Sequence, residues 1–369
     1  MSCLFKVGPI ACLLVALAGG CTTIGERLAR AQTALDVAQA TADFYVKDGG
    51  DESCSVAIVS PGGTVFASAG SADAHTLFRI GSLSKLFLFP VLEQLQAEGR
   101  LDLDRAVTDY SKLALPAVYR SVTLRDLLLN RSGLPREFLS PWNPLDMFSA
   151  VHCGFTGTNL YAPFEDRAGF ARQAGRFWWR WHVRPPRTIY SNVGFGLLGM
   201  TVEDALGEDL ETLFRRKLAE PLALSDTAYT PSPDQCARLS RACAGHLPWL
   251  TRRGENVPDH RLGDALRATG GLLSSTADCA TVFAAAWPIL DERLKRSPLE
   301  DCEDDAVYGL LRVKVLPSGR RILYRAGMIY GGASFVGFDP LSRTVVVILR
   351  NVTSWPDDRG FAVMSALEG

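Results

Sequence analysis

Extended segments gather near the two ends of this chain, and the long stretch between them reads as helix and loop. Near the start, Val56 to Val59 and Val65 to Ala67 flank Pro61-Gly62-Gly63, which predicts a hairpin. Near the end, Gly309 to Val315, Arg321 to Arg325, Ser334 to Phe338 and Thr344 to Leu349 have the same character, with Pro317-Ser318-Gly319 as a turn between the first two. Residues 100–275 are helical and loop-rich, without a repeat. This distribution predicts an α+β fold: an antiparallel β-sheet formed from both chain ends, flanked by helices, with a helical subdomain inserted. The 369 residues suffice for two packed subdomains, and a hydrophobic content of 47% argues for a buried core and against disorder.

Within this frame, Ser82-Leu83-Ser84-Lys85 is the stretch richest in chemistry. It follows Leu77-Phe78-Arg79-Ile80-Gly81, which is strand-like and ends on glycine, and it precedes the apolar Leu86-Phe87-Leu88-Phe89. A helix starting at Ser82 places Lys85 on the face of the serine hydroxyl. A hydroxyl needs a base to attack at neutral pH, and a lysine desolvated by apolar neighbours can be that base. A bland alternative is a serine cap followed by a lysine that snorkels. Against it, Lys85 is the only one of seven lysines with a serine three residues earlier, and Tyr190-Ser191-Asn192 is the only Tyr-x-Asn. Serine, lysine, tyrosine and asparagine are the parts of acyl-serine chemistry.

With those motifs in order, the sequence resembles the class C β-lactamase-like serine hydrolases, which also include penicillin-binding D-alanyl-D-alanine carboxypeptidases and esterases. Further landmarks carry the resemblance over roughly residues 40–355: Thr123-Leu124-Arg125-Asp126-Leu127-Leu128 with Ser132-Gly133-Leu134-Pro135, then Val193-Gly194-Phe195-Gly196 after the tyrosine motif, Glu220-Pro221-Leu222, Ser225-Asp226-Thr227 and Gly270-Gly271-Leu272-Leu273-Ser274-Ser275. The resemblance implies that Ser82 is the nucleophile, that Lys85 and Tyr190 share its proton, and that Asn192 holds Lys85 and the substrate amide. It also implies an oxyanion hole made by the backbone N–H groups of Ser82 and Met328, in a cleft between sheet and helical part. One motif departs from the family. Where Lys-Thr-Gly or a histidine-containing relative is usual, the best match is Arg325-Ala326-Gly327. Arginine keeps a positive charge that can hold a substrate carboxylate, but it cannot give up a proton, and Ala326 lacks a hydroxyl. Arg325, Gly327 and Met328 are therefore the expected substrate-binding positions, with weakened β-lactam chemistry.

The N-terminus reads as an export signal: Lys6, then an apolar core from Ile10 to Ala18, then Leu17-Ala18-Gly19-Gly20-Cys21, which resembles a bacterial lipoprotein cleavage box. The expected organisation is a signal peptide at 1–20, a spacer and the start of a first helix at 21–40, a hydrolase domain at 41–355 with its helical insert at 100–275, and a C-terminal helix or tail at 356–369. Ile24, Leu28, Ala31, Leu35 and Ala38 predict one helix to about Lys47. Cys21 is the expected lipidation site, with the protein on the periplasmic side of a bacterial outer membrane. Removal of the signal leaves six further cysteines, of which Cys236 and Cys243 are close enough to pair across a short loop. Scattered histidines and the lack of Cys-x-x-Cys argue against a metal, and no cofactor is implied. A net charge of −1 gives no field for nucleic acid, and Arg184 to Arg187 read as a solvated loop. Phe177-Trp178-Trp179-Arg180-Trp181 reads as core packing with one or two rings lining an apolar substrate wall. The expected activity is hydrolysis of an amide, β-lactam or ester through an acyl-serine, as a β-lactamase-related or D-amino-acid peptide hydrolase whose small-molecule or peptide substrate can derive from peptidoglycan. The alternatives are an esterase of the same fold and a catalytically weak binder of muropeptides or β-lactams. The oligomeric state is open.

Overall fold

The computed structural model describes residues 23–46, 51–137, 165–174, 183–243, 262–354 and 357–368. Cys21 with the export segment, and the aromatic cluster at 177–181, lie outside the described residues. Nine strands occur among them: β1 (Cys54–Ser60), β2 (Gly63–Ala69), β3 (Phe78–Arg79), β4 (Leu273–Ser274), β5 (Val307–Tyr308), β6 (Leu311–Val315), β7 (Arg321–Ile329), β8 (Gly332–Asp339) and β9 (Thr344–Arg350). Seven form one sheet in the order β2-β1-β9-β8-β7-β6-β5, with every neighbouring pair antiparallel. The join between the chain ends is β1 on β9, with Val56 opposite Ile348 and Ile58 opposite Val346. The expected sheet from both chain ends is present; most predicted strands lengthen where ladder bonds continue past the apolar run, whereas the one expected over 309–315 is confined to Leu311–Val315, with β5 set apart before it.

Two helices precede the sheet where the apolar spacing predicts one. Helix α1 (Ile24–Leu28) and helix α2 (Ala34–Tyr45) are separated by a cap. Thr33 Oγ1 accepts from Asp36 N at 3.1 Å while Asp36 Oδ2 accepts from Thr33 N at 2.9 Å. This reciprocal box satisfies donors that a continuous helix would use, so it restarts the helix although the apolar period runs on across it. The other helices that position the site are α3 (Ser84–Ala97), α4 (Leu124–Leu128), α5 (Asn192–Leu206), α6 (Arg267–Gly270), α7 (Thr276–Ala284) and α8 (Asp357–Ala366). None of the described helices is long and apolar enough to cross a membrane.

Strand alternation sorts the core into two layers. On β9, Val346 and Ile348 join Val56, Ile58, Phe335 and residues of α2 and α8 on one face. Val345, Val347 and Leu349 join Ala57, Val336 and Cys279 and Phe283 of α7 on the other. Helices cover both faces, so β8 and β9 are buried along their whole length and read as nearly continuous apolar runs. The cysteines 236 and 243 are not brought into a common setting: Cys236 is exposed, and the buried Cys243 thiol donates to Asp51 O at 3.3 Å.

Helix α8 presses so closely on β8 that glycine is required at 360, where a Cβ would lie 2.6 Å from the Phe335 ring. Gly360→Ala favours the helix by roughly 1 kcal/mol of intrinsic propensity, yet overpacking against a fully buried ring costs about 1–3 kcal/mol. The expected outcome is a lower urea midpoint with an unchanged m-value, recovered in part by Phe335→Leu in the same chain. A midpoint that rises would show that the α8–β8 contact is loose.

Candidate active site

The chain leaves β3, turns at Gly81 and enters a 3-10 turn over Gly81–Leu83 before α3 begins. Gly81 has φ +52°, a left-handed conformation that strains any side chain. The turn is tied down on several sides: Ser84 Oγ donates to Gly81 O at 2.7 Å and accepts from Leu272 N at 3.2 Å, and Ser334 Oγ donates to Ile80 O at 2.6 Å. Ser82 therefore stands in a rigid turn, not in the first α-helical turn that the sequence predicts. Residues three apart eclipse in a 3-10 turn, so Lys85 still meets it, with Nζ 3.3 Å from Ser82 Oγ.

Lys85 is fully buried, and its amine finds polar partners there. Besides Ser82 it donates to Asn192 Oδ1 at 2.9 Å and to Thr269 O at the end of α6. The Gly270-Gly271 landmark acquires a physical reason here, since a Cβ on Gly270 would lie 3.1 Å from the backbone of Gly81. Only this close approach lets the Thr269 carbonyl reach the lysine.

Tyr190 and Asn192 are held by the loop after α4. Asn130, itself at φ +55°, accepts from Ser191 N through Oδ1 at 2.9 Å. Ser191 Oγ donates to Pro135 O at 2.6 Å, and Asn192 N donates to Arg136 O at 2.9 Å. The Ser132-Gly133-Leu134-Pro135 turn is thus the cradle of the tyrosine motif. Tyr190 Oη lies 2.5 Å from Ser82 Oγ, so the four expected catalytic residues meet in one hydrogen-bonded cluster.

The third motif lies on β7, against the nucleophile turn. Met328 N is 3.1 Å from where a Cβ of Gly81 would stand, and Ser82 N is 2.9 Å from a Cβ built on Gly327. Glycine at 81 and 327 lets the Ser82 and Met328 backbones converge. β6 pairs with β7 only as far as Tyr324, so Arg325 to Ile329 has no strand on that edge among the described residues. Arg325 does not point away from the cluster: its guanidinium carbon lies 4.8 Å from the centre of the Tyr190 ring, and Nη1 donates to Leu310 O at 2.8 Å.

These contacts set the proton affinities. Burial lowers the pKa of Lys85, the Tyr190 and Glu137 charges oppose this, and Arg325 adds to it. For Tyr190, burial alone would raise the phenol. The positive charges of Lys85 and Arg325 and the hydrogen bonds from Lys85 and Ser82 outweigh it and bring the phenol down to about 8. The two groups are coupled, because the charge on each shifts the proton affinity of the other.

Sequence reasoning missed three contributors. Thr269 and Leu310 act through backbone carbonyls, which no side-chain pattern reveals. Glu137 lies just beyond the Ser-Gly-Leu-Pro turn, after Arg136, and its Oε1 accepts from Asn192 Nδ2 at 2.7 Å. A charged residue two places after that turn was the available signal.

Comparison with known proteins identifies the family and the fold. The β-lactamase family model matches residues 38–368. The D-alanyl-D-alanine-carboxypeptidase/endopeptidase AmpH of Escherichia coli K12 is 28% identical over 227 residues, which cover 58% of this chain and 55% of that protein. The chain thus aligns with about half the length of this curated relative. Among solved structures, a D-stereospecific amidohydrolase from Streptomyces sp. superposes with a TM-score of 0.64 over 90% of this chain and 98% of its own, at 24% identity. D-amino acid amidase from Ochrobactrum anthropi SV3 gives 0.65 over 91% and 99% at 21% identity, and a class C β-lactamase 0.65 over 92% and 99% at 17%. These structures share the fold. The chain belongs to the β-lactamase family of serine hydrolases.

Proposed function

We propose that this protein is a serine hydrolase that forms an acyl-enzyme on Ser82, with an amide or ester of a D-amino acid as its substrate. The observation that carries the reading is the 2.5 Å contact between Ser82 Oγ and Tyr190 Oη with Lys85 Nζ 3.3 Å from the same oxygen. A phenol brought down to about 8 is a base matched to neutral pH. In its phenolate form Tyr190 takes the serine proton as Oγ attacks the substrate carbonyl, and Lys85 balances the negative charge. Backbone N–H groups of Ser82 and Met328, brought together by Gly81 and Gly327, receive the developing oxyanion. Tyr190 returns its proton to the leaving group, then draws one from the water that frees the acid.

The D-amino-acid substrate is supported by the printed functions of the carboxypeptidase and amidase relatives and by the third motif. Ala326 offers no hydroxyl, and Arg325 spends one donor on Leu310 O. Arg325 serves here as a fixed positive charge over Tyr190, and recognition of a substrate carboxylate is its second possible task. For location, the apolar segment ending at Cys21 supports export and lipid anchoring on the periplasmic side of the membrane.

An activated ester should leave its acyl group on the peptide containing Ser82, read by mass spectrometry, and Ser82→Ala should lose adduct and turnover together. An adduct on another serine in an active Ser82→Ala protein would end this mechanism. With a neutral ester, kcat/KM should rise with pH through an inflection near 8, as Tyr190 gives up its phenol proton beside the charged Lys85. Arg325→Gln removes a charge that lowers both groups, so the inflection should move to higher pH; an unmoved profile would exclude Arg325 as the source of the field. Wild type expressed with its leader should partition into detergent and take up labelled palmitate, whereas Cys21→Ala should do neither. Equal behaviour of the two would exclude the anchor.

A further inference from the structure

We propose that Glu137 makes the site selective for substrates carrying a free, protonated amino group near the scissile carbonyl, in preference to N-acylated ones; this rests on the acyl-Ser82 reading above. The other charged side chains at the cluster are cationic or bear on cations: Lys85 beneath the serine, Arg325 at 4.8 Å from the Tyr190 ring centre and Arg136 at 5.5 Å from it. Glu137 is the carboxylate facing them. Its Oε1 is fixed by Asn192 Nδ2 at 2.7 Å, and Arg136 Nε stands 3.6 Å from the same oxygen.

Three consecutive contacts lead from the nucleophile to this carboxylate: Ser82 to Lys85 at 3.3 Å, Lys85 to Asn192 at 2.9 Å and Asn192 to Glu137 at 2.7 Å. A substrate amide held by Asn192 would meet a residue whose own amide nitrogen is already bonded to this carboxylate. The Glu137 side chain keeps 29% of its surface exposed, so an incoming group can approach it, whereas Arg136 is 59% exposed and its 3.6 Å pairing is screened by water. A carboxylate only accepts hydrogen bonds. An ammonium brings three charged donors to it, while an N-acyl amide brings one neutral N–H and a carbonyl oxygen that the carboxylate repels.

The test compares D-alanine p-nitroanilide with N-acetyl-D-alanine p-nitroanilide, in wild type and Glu137→Gln. Glutamine keeps the acceptor for Asn192 and removes the charge. Wild type should favour the free amine by about tenfold or more in kcat/KM, the scale of a charge-assisted over a neutral hydrogen bond, and Glu137→Gln should lose most of that ratio. The ratio should also fade in wild type as pH passes the substrate amine's pKa, about 8. Titration of the Lys85–Tyr190 pair cancels between the two substrates and cannot imitate this. Equal losses on both substrates in Glu137→Gln would overturn the proposal and leave Glu137 as a positioning residue for Asn192. So would a wild type that prefers the acetylated compound, or that turns over neither while a fluorophosphonate still labels Ser82. Failure of that label on a folded wild type would instead refute the acyl-serine reading beneath it.

Discussion

A lysine amine held away from water by three acceptors organises this molecule. Lys85 sits on α3, and its partners are a side chain on α5, a carbonyl closing α6 and the serine of its own turn. A buried amine without partners would cost several kcal/mol in effective desolvation, so each of those segments must arrive at a fixed distance. The glycines follow from that demand. Gly270 lets α6 approach the turn, Gly81 lets the turn approach Met328 on β7, and Gly199 lets α5 approach α6, where a Cβ would come within 2.6 Å of Ala268. Glycine inside a helix such as α5 is unfavourable by roughly 1 kcal/mol relative to alanine; here it is compensated by bringing Asn192 to the lysine.

The sheet supplies the stiffness against which this contact is built. The nucleophile turn rests on β7 and β8 through Ser334 and Gly327. β8 is buried on both faces, by α2 and α8 from the two ends of the chain on one side and by α7 on the other. Residues that lie hundreds of positions apart in sequence thus share one rigid platform. The site's own loops contribute cross-bonds from Asn130, Pro135 and Arg136, which fix the tyrosine motif without any regular structure.

Arg325 shows how a departure from a family pattern can be absorbed. A guanidinium cannot relay a proton, but it can lie over the Tyr190 ring and keep the phenol acidic. The proton then has a path between Ser82, Tyr190 and Lys85 that does not involve the third motif. Family membership and fold are consequences of the shared scaffold. Around that scaffold, Arg325 and Glu137 are among the groups that set the local charge here.

The sequence by itself determined the scaffold and the chemistry's central parts. Extended apolar runs at both ends, bounded by Pro-Gly-Gly and Pro-Ser-Gly turns, announced the antiparallel sheet, because only strands that pair antiparallel can be joined by such short turns. The meeting of Ser82, Lys85, Tyr190 and Asn192 was legible because the proposed acyl-serine chemistry needs those side chains at those spacings. It misjudged the first helix, since apolar spacing at 24–38 runs through a polar box at Thr33 and Asp36 that only hydrogen-bond geometry reveals. Tertiary structure alone decided which groups hold Lys85, where Arg325 turns and what Glu137 touches. Those contacts involve backbone carbonyls at 269 and 310 and a carboxylate 55 residues from its partner. A carbonyl is the same in every residue, so its role is written only in the distances that folding creates.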